Sequence, residues 1–245
     1  MIIGSKFIFS ENLPSTNTYA SNLLRSHSIQ DGTIIYTNYQ TSGRGQAANS
    51  WESEENKNLL ISLILYPHMI RPIEQFLISK TVSLGICDFL NQHTGNVSIK
   101  WPNDIYVKDD KIAGILIESS IIGEEIENLI AGIGLNLNQK NFKSNAPNPV
   151  SLSLITGKEY NIQESLNSLA TCLDKRYEQL LNGKRSDING EYLSNLYRYN
   201  QWCKYSDLRG IFEGRIISVN SHGHLQIEDL SGKIYEYGYK EVNFL

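Results

Sequence analysis

Between Val97 and Leu137 the chain changes rhythm, and that change constrains the fold more than any other feature. Four apolar, β-branched stretches follow in quick succession: Val97 to Trp101, Ile105 to Lys108, Lys111 to Ser119 and Asn128 to Leu137. They are separated by turn-rich peptides such as Pro102-Asn103-Asp104 and Asp109-Asp110. Links this short leave no room for the helix that a parallel crossover needs, so the four stretches predict an antiparallel meander.

Before the meander, strand and helix alternate. Lys6 to Phe9 reads as a short strand, and Ser15 is placed to N-cap a helix with Tyr19, Ala20, Leu23 and Leu24 on one side. Thr33 to Tyr39 is a second strand and runs into a long polar segment, Gln40 to Lys57. Leu59 to Leu65 is apolar at every position but Ser62, as a strand buried on both faces would be, and Pro72 opens a helix through about Gln92. After the meander comes a loop at Asn145 to Pro149. Asn161 with Glu164 then resembles a capping box before Ile162, Leu166, Leu169, Leu173 and Leu180, a helix that Gly183 stops. A further helix is expected over Ile188 to Tyr199. Short strands near Gly210 to Val219, His224 to Asp229, Lys233 to Tyr237 and Glu241 to Phe244 follow, with turn signals between them. The expected fold is therefore α+β: a mixed, largely antiparallel central sheet with helices over residues 1–205, then a small SH3-like β-barrel over 206–245.

Composition narrows the function classes. Hydrophobic residues make up 40% of the chain and 18 glycines raise the apolar share to about 47%, the globular norm. Cys87, Cys172 and Cys203 are far apart with no C-x-x-C pair, so neither a zinc finger nor a disulfide scaffold is expected, and a reducing cytoplasm fits best. Leu59 to Leu65, the longest apolar run, is about a third of the roughly 20 residues a membrane helix needs. The first residues lack the basic and apolar regions of a secretory signal. With 22 basic and 26 acidic side chains the net charge is -4 and no Lys/Arg cluster stands out, so neither nucleic acid nor membrane is expected as a partner.

Three motifs carry chemistry. In Gly43-Arg44-Gly45 the glycines let backbone N–H groups approach an anion and Arg44 offers bidentate hydrogen bonds to phosphate or carboxylate, although a solvated turn has the same composition. Lys100-Trp101-Pro102-Asn103-Asp104, followed by Lys111-Ile112-Ala113-Gly114-Ile115-Leu116-Ile117-Glu118, reads either as ordinary turn chemistry or as donors, an acid and a cation around one pocket mouth. Gly114 would let a ligand lie flat on the backbone. In Ala131-Gly132-Ile133-Gly134-Leu135-Asn136 two glycines strip side chains from one strand face, and the absence of a following x-x-G excludes a dinucleotide fingerprint.

Taken in order, Ser15-Thr16-Asn17, the G-R-G segment through Trp51, K-W-P-N-D with K-I-A-G-I-L-I-E, and G-I-G-L-N resemble the biotin protein ligases, also called biotin–acetyl-CoA-carboxylase ligases. The resemblance covers the whole chain and implies the class II synthetase-like fold of that family, in its short type without an N-terminal DNA-binding winged helix. Many members continue G-R-G-R-R-G, whereas Gln46-Ala47-Ala48 stands here, so two positive charges and a glycine are missing from the loop. The implied reaction joins biotin to ATP as biotinyl-5′-AMP, releasing pyrophosphate, and then to a lysine of a biotin carboxyl carrier domain, releasing AMP.

The resemblance makes Lys111, Arg44 and Asp104 the catalytic candidates. Lys111 and Arg44 would stand between two anions. Asp104 is either the base for the acceptor lysine or the cap of its own turn. It places Ser15, Thr16, Asn17, Gln40, Gly43, Arg44, Lys111 and Gly114 at biotin, and Arg44, Gln46, Trp51, Asn103, Lys111 and Asn136 at ATP. Mg²⁺ should accompany ATP, held by phosphates and water, with no protein metal site. The Gln40 to Lys57 loop is expected to close over the adenylate. A sheet edge pairing two chains into a homodimer is a further expectation. Two other readings stay open: a lipoate or octanoate ligase or transferase of the same fold, and a non-enzymatic nucleotide-sensing adaptor.

Overall fold

The computed structural model of the protein describes residues 1–143 and 148–245. The first part of the chain forms β1 (Phe7–Leu13), α1 (Thr16–Ser26), β2 (Ile34–Gln40), β3 (Leu59–Leu65), α2 (Phe76–Asn91), β4 (Val97–Lys100), β5 (Asp104–Val107), β6 (Asp110–Ile122) and β7 (Glu125–Leu135). Three helices follow, α3 (Leu152–Thr156), α4 (Ile162–Leu181) and α5 (Arg185–Ser194). Five strands end the chain: β8 (Trp202–Asp207), β9 (Gly210–Val219), β10 (Leu225–Asp229), β11 (Ile234–Tyr237) and β12 (Asn243–Phe244).

The first seven strands make one mixed sheet in the order β1-β2-β3-β7-β6-β5-β4. Its β4 to β7 half is the expected antiparallel meander, and β7 continues antiparallel onto β3 and β3 onto β2. Only β1 and β2 run parallel, because α1 returns the chain between them. One face of β3 sends Leu59, Ile61, Leu63 and Leu65 into the main core with α2 and α4. On the opposite face Ile64 joins Leu13, Ala20, Ile35 and Ile130 under α1. Burial on both faces accounts for the unbroken apolar run, and Ser62, fully buried, is its one polar position.

Several boundaries differ from those read in the sequence. Pro72 starts a short 3₁₀ turn, Pro72–Glu74, and the α-helix begins only at Phe76. The helix expected over Ile188 to Tyr199 is Arg185–Ser194 instead. It stops there because the next residues bond the edge strand β4: the Ile99 N–H donates to Asn195 O at 2.8 Å and the Tyr197 N–H to Ile99 O at 2.9 Å. α3 and β8 were not foreseen, and the loop at Asn145 to Pro149 lies mostly outside the described residues. At α4 the expectation holds, with Asn161 Oδ1 accepting the Glu164 N–H at 3.0 Å.

β8 to β12 form a five-stranded antiparallel sheet in the order β11-β10-β9-β8-β12. Its buried Tyr205, Ile216, Leu225 and Ile227 are continuous with the main core. Among the described residues no helix is long and apolar enough to cross a membrane.

Candidate active site

The sheet register sets out the floor of the site. Leu60 on β3, Gly134 on β7, Gly114 on β6 and Asp104 on β5 lie side by side, and Ser62, Gly132 and Leu116 form the next row. Three glycines on one face of two neighbouring strands, one on β6 and two on β7, leave a shallow trough on the α1 side of the sheet, where side chains from elsewhere come down onto the backbone. A Cβ at Gly134 would lie 2.3 Å from Trp51 Cε2, and one at Gly114 would lie 2.9 Å from Trp51 Cζ3. One at Gly132 would lie 2.3 Å from Asn17 Oδ1. The sequence suggested a ligand lying flat at Gly114; in this arrangement the Trp51 indole covers the backbone there and at Gly134, and the Asn17 amide covers it at Gly132.

Around the trough lies a cleft of about 110 Å³ lined by Ser15, Thr16, Asn17, Gln40, Arg44, Gln46, Trp51, Asn103, Asp104, Lys111 and Gly114, among others. Asn136 lines an adjoining recess of about 50 Å³ together with Trp51, Lys111, Phe142 and Pro149. Gly43 alone of the expected residues lines neither. It sits in the loop's own hairpin, where its carbonyl accepts the Trp51 N–H at 2.9 Å and a Cβ would meet Trp51 O at 2.4 Å.

Both expected cations are paired with carboxylates. Lys111 Nζ lies 2.7 Å from Asp104 Oδ1, each side chain about one-fifth exposed, and 5.8 Å from the centre of a Trp51 ring. Arg44 grips Glu118 with two guanidinium nitrogens, at 2.6 and 3.3 Å. Glu118 also accepts the Asn17 amide at 2.8 Å, while Asn17 Oδ1 accepts from Ser62 Oγ at 2.6 Å. Asn17 therefore ties α1 to β3 and β6 with both ends of its amide. The glycine loop is not an open anion nest either, because the Gly45 N–H donates to Asn49 O at 2.7 Å.

The other polar residues divide by what they still have free. Ser15 stands at the N-cap of α1 but its hydroxyl makes no cap bond. Gln40 Oε1 takes that place, accepting the Thr16 N–H at 2.8 Å and the Thr16 hydroxyl at 3.2 Å. Asn103 is fixed to β6 from both sides, Nδ2 donating to Ile115 O at 2.8 Å and its carbonyl accepting the Ile115 N–H at 2.9 Å. Asn136 Nδ2 donates to Val150 O at 3.1 Å. Its Oδ1, Gln46 Oε1 and Trp51 Nε1 are buried with no partner among the described residues. Buried polar atoms are rarely left unmatched, and these three belong to residues that line the cleft or its recess, where a ligand's polar groups could meet them.

Among the residues missed in the sequence as parts of the site, Glu118 and Tyr239 bear on its chemistry. Glu118 closes the K-I-A-G-I-L-I-E strand on the same face as Gly114 and Leu116, a period-2 signal that could have shown it. Tyr239 enters the cleft from the second sheet, and no local pattern announces it.

A chain with a glycine-floored cleft, a partly buried lysine–aspartate pair and this mixed sheet fits a group-transfer ligase in class, and comparison with known proteins agrees. Residues 9–136 match the Biotin/lipoate A/B protein ligase family, and the chain belongs to that family. It is 27% identical over 243 residues to the bifunctional ligase/repressor BirA of Bacillus subtilis, covering 96% of this chain and 73% of that one. It is 28% identical over 230 residues to the biotin–[acetyl-CoA-carboxylase] ligase of Paracoccus denitrificans, covering 89% and 92%. Its fold is that of the biotin protein ligase of Aquifex aeolicus solved with biotin and ATP, with a TM-score of 0.81, 24% identity, and coverage of 98% and 99%.

Proposed function

We propose that this chain uses ATP to join biotin to a lysine of a biotin carboxyl carrier domain, through biotinyl-5′-AMP. The observation that carries the reading is the Lys111–Asp104 pair at 2.7 Å, set beside an indole on a glycine floor, with unmatched acceptors at Asn136 and Gln46 close by. The name of the Paracoccus relative supports the acceptor.

In the first step a biotin carboxylate oxygen bonds the α-phosphorus of ATP, and pyrophosphate leaves with the electrons of the broken P–O bond. Two anions must meet, so the step needs cations that act more strongly on the crowded transition state than on either substrate. Lys111 and Arg44 are those cations. Each is held by a carboxylate beforehand, and each exchanges it for a substrate oxygen. Trp51 offers the adenine a flat face, and Asn136 Oδ1 an acceptor for its amino group. Ser15, with its hydroxyl free of the helix cap, and Thr16 stand for the ureido ring. Mg²⁺ would screen the triphosphate, held by phosphate oxygens and water. The described residues contain no group of three acidic, His or Cys side chains to hold it, and the cleft's Asp104 and Glu118 are already paired.

In the second step the acceptor Nζ bonds the biotin carbonyl carbon, the C–O bond to the phosphate breaks, and AMP leaves with its electron pair. Asp104, relieved of Lys111, takes the proton from nitrogen. Ligand pockets usually enclose roughly 300–1,000 Å³. The cleft and recess, at about 110 and 50 Å³, are small for both substrates, and we infer that Trp51 and its loop lift and re-close over them. Thermal unfolding with biotin against lipoate tests the substrate. At a hundred times its Kd a bound ligand stabilises by about 2.7 kcal/mol, a rise of roughly 5–10 °C for a chain this size. Biotin should give that rise and lipoate should not; a rise with lipoate alone would replace this reading with the lipoate one.

A further inference from the structure

The cleft is lined by residues between Ser15 and Gly134 with one exception, Tyr239. Tyr239 stands in the turn between β11 and β12, closed by the Gly238 N–H donating to Glu241 Oε2 at 2.6 Å and the Glu241 N–H to Gly238 O at 3.2 Å. It thus lines a cleft built on the other sheet. A tyrosine serving only to pack the small sheet would point into that sheet's own core, as Tyr205 does.

The second sheet is fastened where it matters for this contact. Trp101 Nε1 donates to Gly223 O at 2.8 Å in the β9–β10 turn, and Lys80 Nζ donates to Val219 O at 3.3 Å. Lys100 Nζ lies 4.8, 5.9 and 5.4 Å from the ring centres of Tyr106, Tyr197 and Phe244, the last on β12. Lys100 and Trp101 belong to the same K-W-P-N-D segment that supplies Asp104. Tyr239 and Asp104 are thereby held in a fixed relation from two sheets. Burial and the negative charge of Asp104 both raise the pKa of the Tyr239 hydroxyl, so the ring is a neutral phenol lining the same cleft as that carboxylate. The ring already attracts one ammonium group, Lys240 Nζ at 5.6 Å from its centre, which an incoming lysine would replace.

We infer that Tyr239 is a positioning residue for the acceptor lysine: its ring and the Asp104 carboxylate form a two-sided receptor for the incoming ammonium. This rests on the two-step reading above. The ring attracts the cation by its quadrupole, Asp104 removes one proton, the freed lone pair bonds the biotin carbonyl carbon as AMP departs with the electrons of the broken C–O bond, and the second ammonium proton leaves on the departing phosphate. The receptor assists only the second step, and only for a nucleophile that arrives charged.

The test uses the full chain, chemically prepared biotinyl-5′-AMP, a purified biotin carboxyl carrier domain, and hydroxylamine as a nucleophile uncharged at neutral pH. Tyr239→Ala should lower kcat/KM for the carrier roughly five- to thirty-fold. Its loss in biotin-dependent ATP–pyrophosphate exchange, and in hydroxylamine capture of the same adenylate, should be at least five-fold smaller than that. Tyr239→Phe should stay near wild type in all three. Tyr239→Leu, which keeps bulk without a ring, should match the alanine variant, and it supplies the answer if alanine unfolds the turn. Equal losses in all three assays, no loss for the carrier, or a phenylalanine variant as damaged as alanine would overturn the proposal. A wild-type chain that makes no adenylate would overturn the underlying reading instead.

Discussion

Replacing Gly134 with alanine tests how the site is assembled. The added methyl would lie 2.3 Å from Trp51 Cε2 and 2.7 Å from both Cζ2 and Nε1, where ordinary contact begins near 3.4 Å. Gly134 is bound into β7 between β3 and β6, and its backbone cannot withdraw, so the indole must move by about 1 Å or more. Forcing extra volume into a packed site typically costs about 1–3 kcal/mol, or roughly 2–12 °C for a chain of this size. A Gly95→Ala control meets no atom within 4 Å and should cost little. Thermal unfolding gives the cost, and Trp51 emission, isolated by subtracting a Trp51→Phe spectrum, should shift towards that of an exposed indole. In a Trp51→Ala background the same glycine replacement should cost less than about 0.5 kcal/mol, because the clashing atoms are gone. An equal cost in both backgrounds would refute the claim that the glycines exist to seat Trp51.

Lys111→Ala should fold and lose roughly a hundred- to a thousand-fold in adenylation, yet keep a larger fraction of transfer from supplied biotinyl-5′-AMP than Asp104→Ala does. The opposite ranking in the transfer assay would reverse the two roles. Glu118→Gln should lower the KM for ATP about two- to five-fold in pyrophosphate exchange, since Arg44, itself half-exposed, no longer has to leave a carboxylate partner; a raised KM would show that Glu118 aids binding. Lys80 is almost fully buried against Phe76, Tyr192, Asn189 and Val219, and burial lowers its pKa to about 8. The unfolded chain therefore binds this proton up to about pH 10.4 while the folded chain has released it, so Lys80's contribution to stability falls as pH drops from about 10 to about 8 and is flat below. Cys87, whose thiol burial pushes up to about 12, works in the opposite direction above pH 9. The clean readout is the difference between wild type and Lys80→Met in denaturant titrations, which should change by up to about 3 kcal/mol across that window and would contradict the argument by staying constant.

Much of this was legible in the sequence, for physical reasons. The meander followed from the short links after Trp101 and Asp109, and β3 from an apolar run only two-sided burial explains. α4 followed from Asn161 and the leucine spacing after it. The motifs brought together Lys111, Asp104, Arg44 and Trp51 because residues on adjacent strands and one loop must meet where the strands pair. What could not be read was pairing at a distance. That Arg44 rests on Glu118, and that Gln40 caps α1 in place of Ser15, depends on side chains 74 and 24 residues apart. α5 ended early because an edge strand claimed its next residues, a competition no helical periodicity records. Tyr239 reached the cleft through the docking of a second sheet, which is set by Trp101, Lys80 and Lys100 together and by no motif of its own.

The central claim is that the cleft activates biotin by adenylation, and the most direct measurement of it is the exchange of labelled pyrophosphate into ATP by the purified chain. The account predicts exchange that requires biotin, is not supported by lipoate or octanoate, needs no carrier protein, and falls at least a hundred-fold in Lys111→Ala. Exchange that proceeds without biotin, that lipoate drives equally well, or that is absent from a folded chain supplied with biotin, ATP and Mg²⁺ would contradict it.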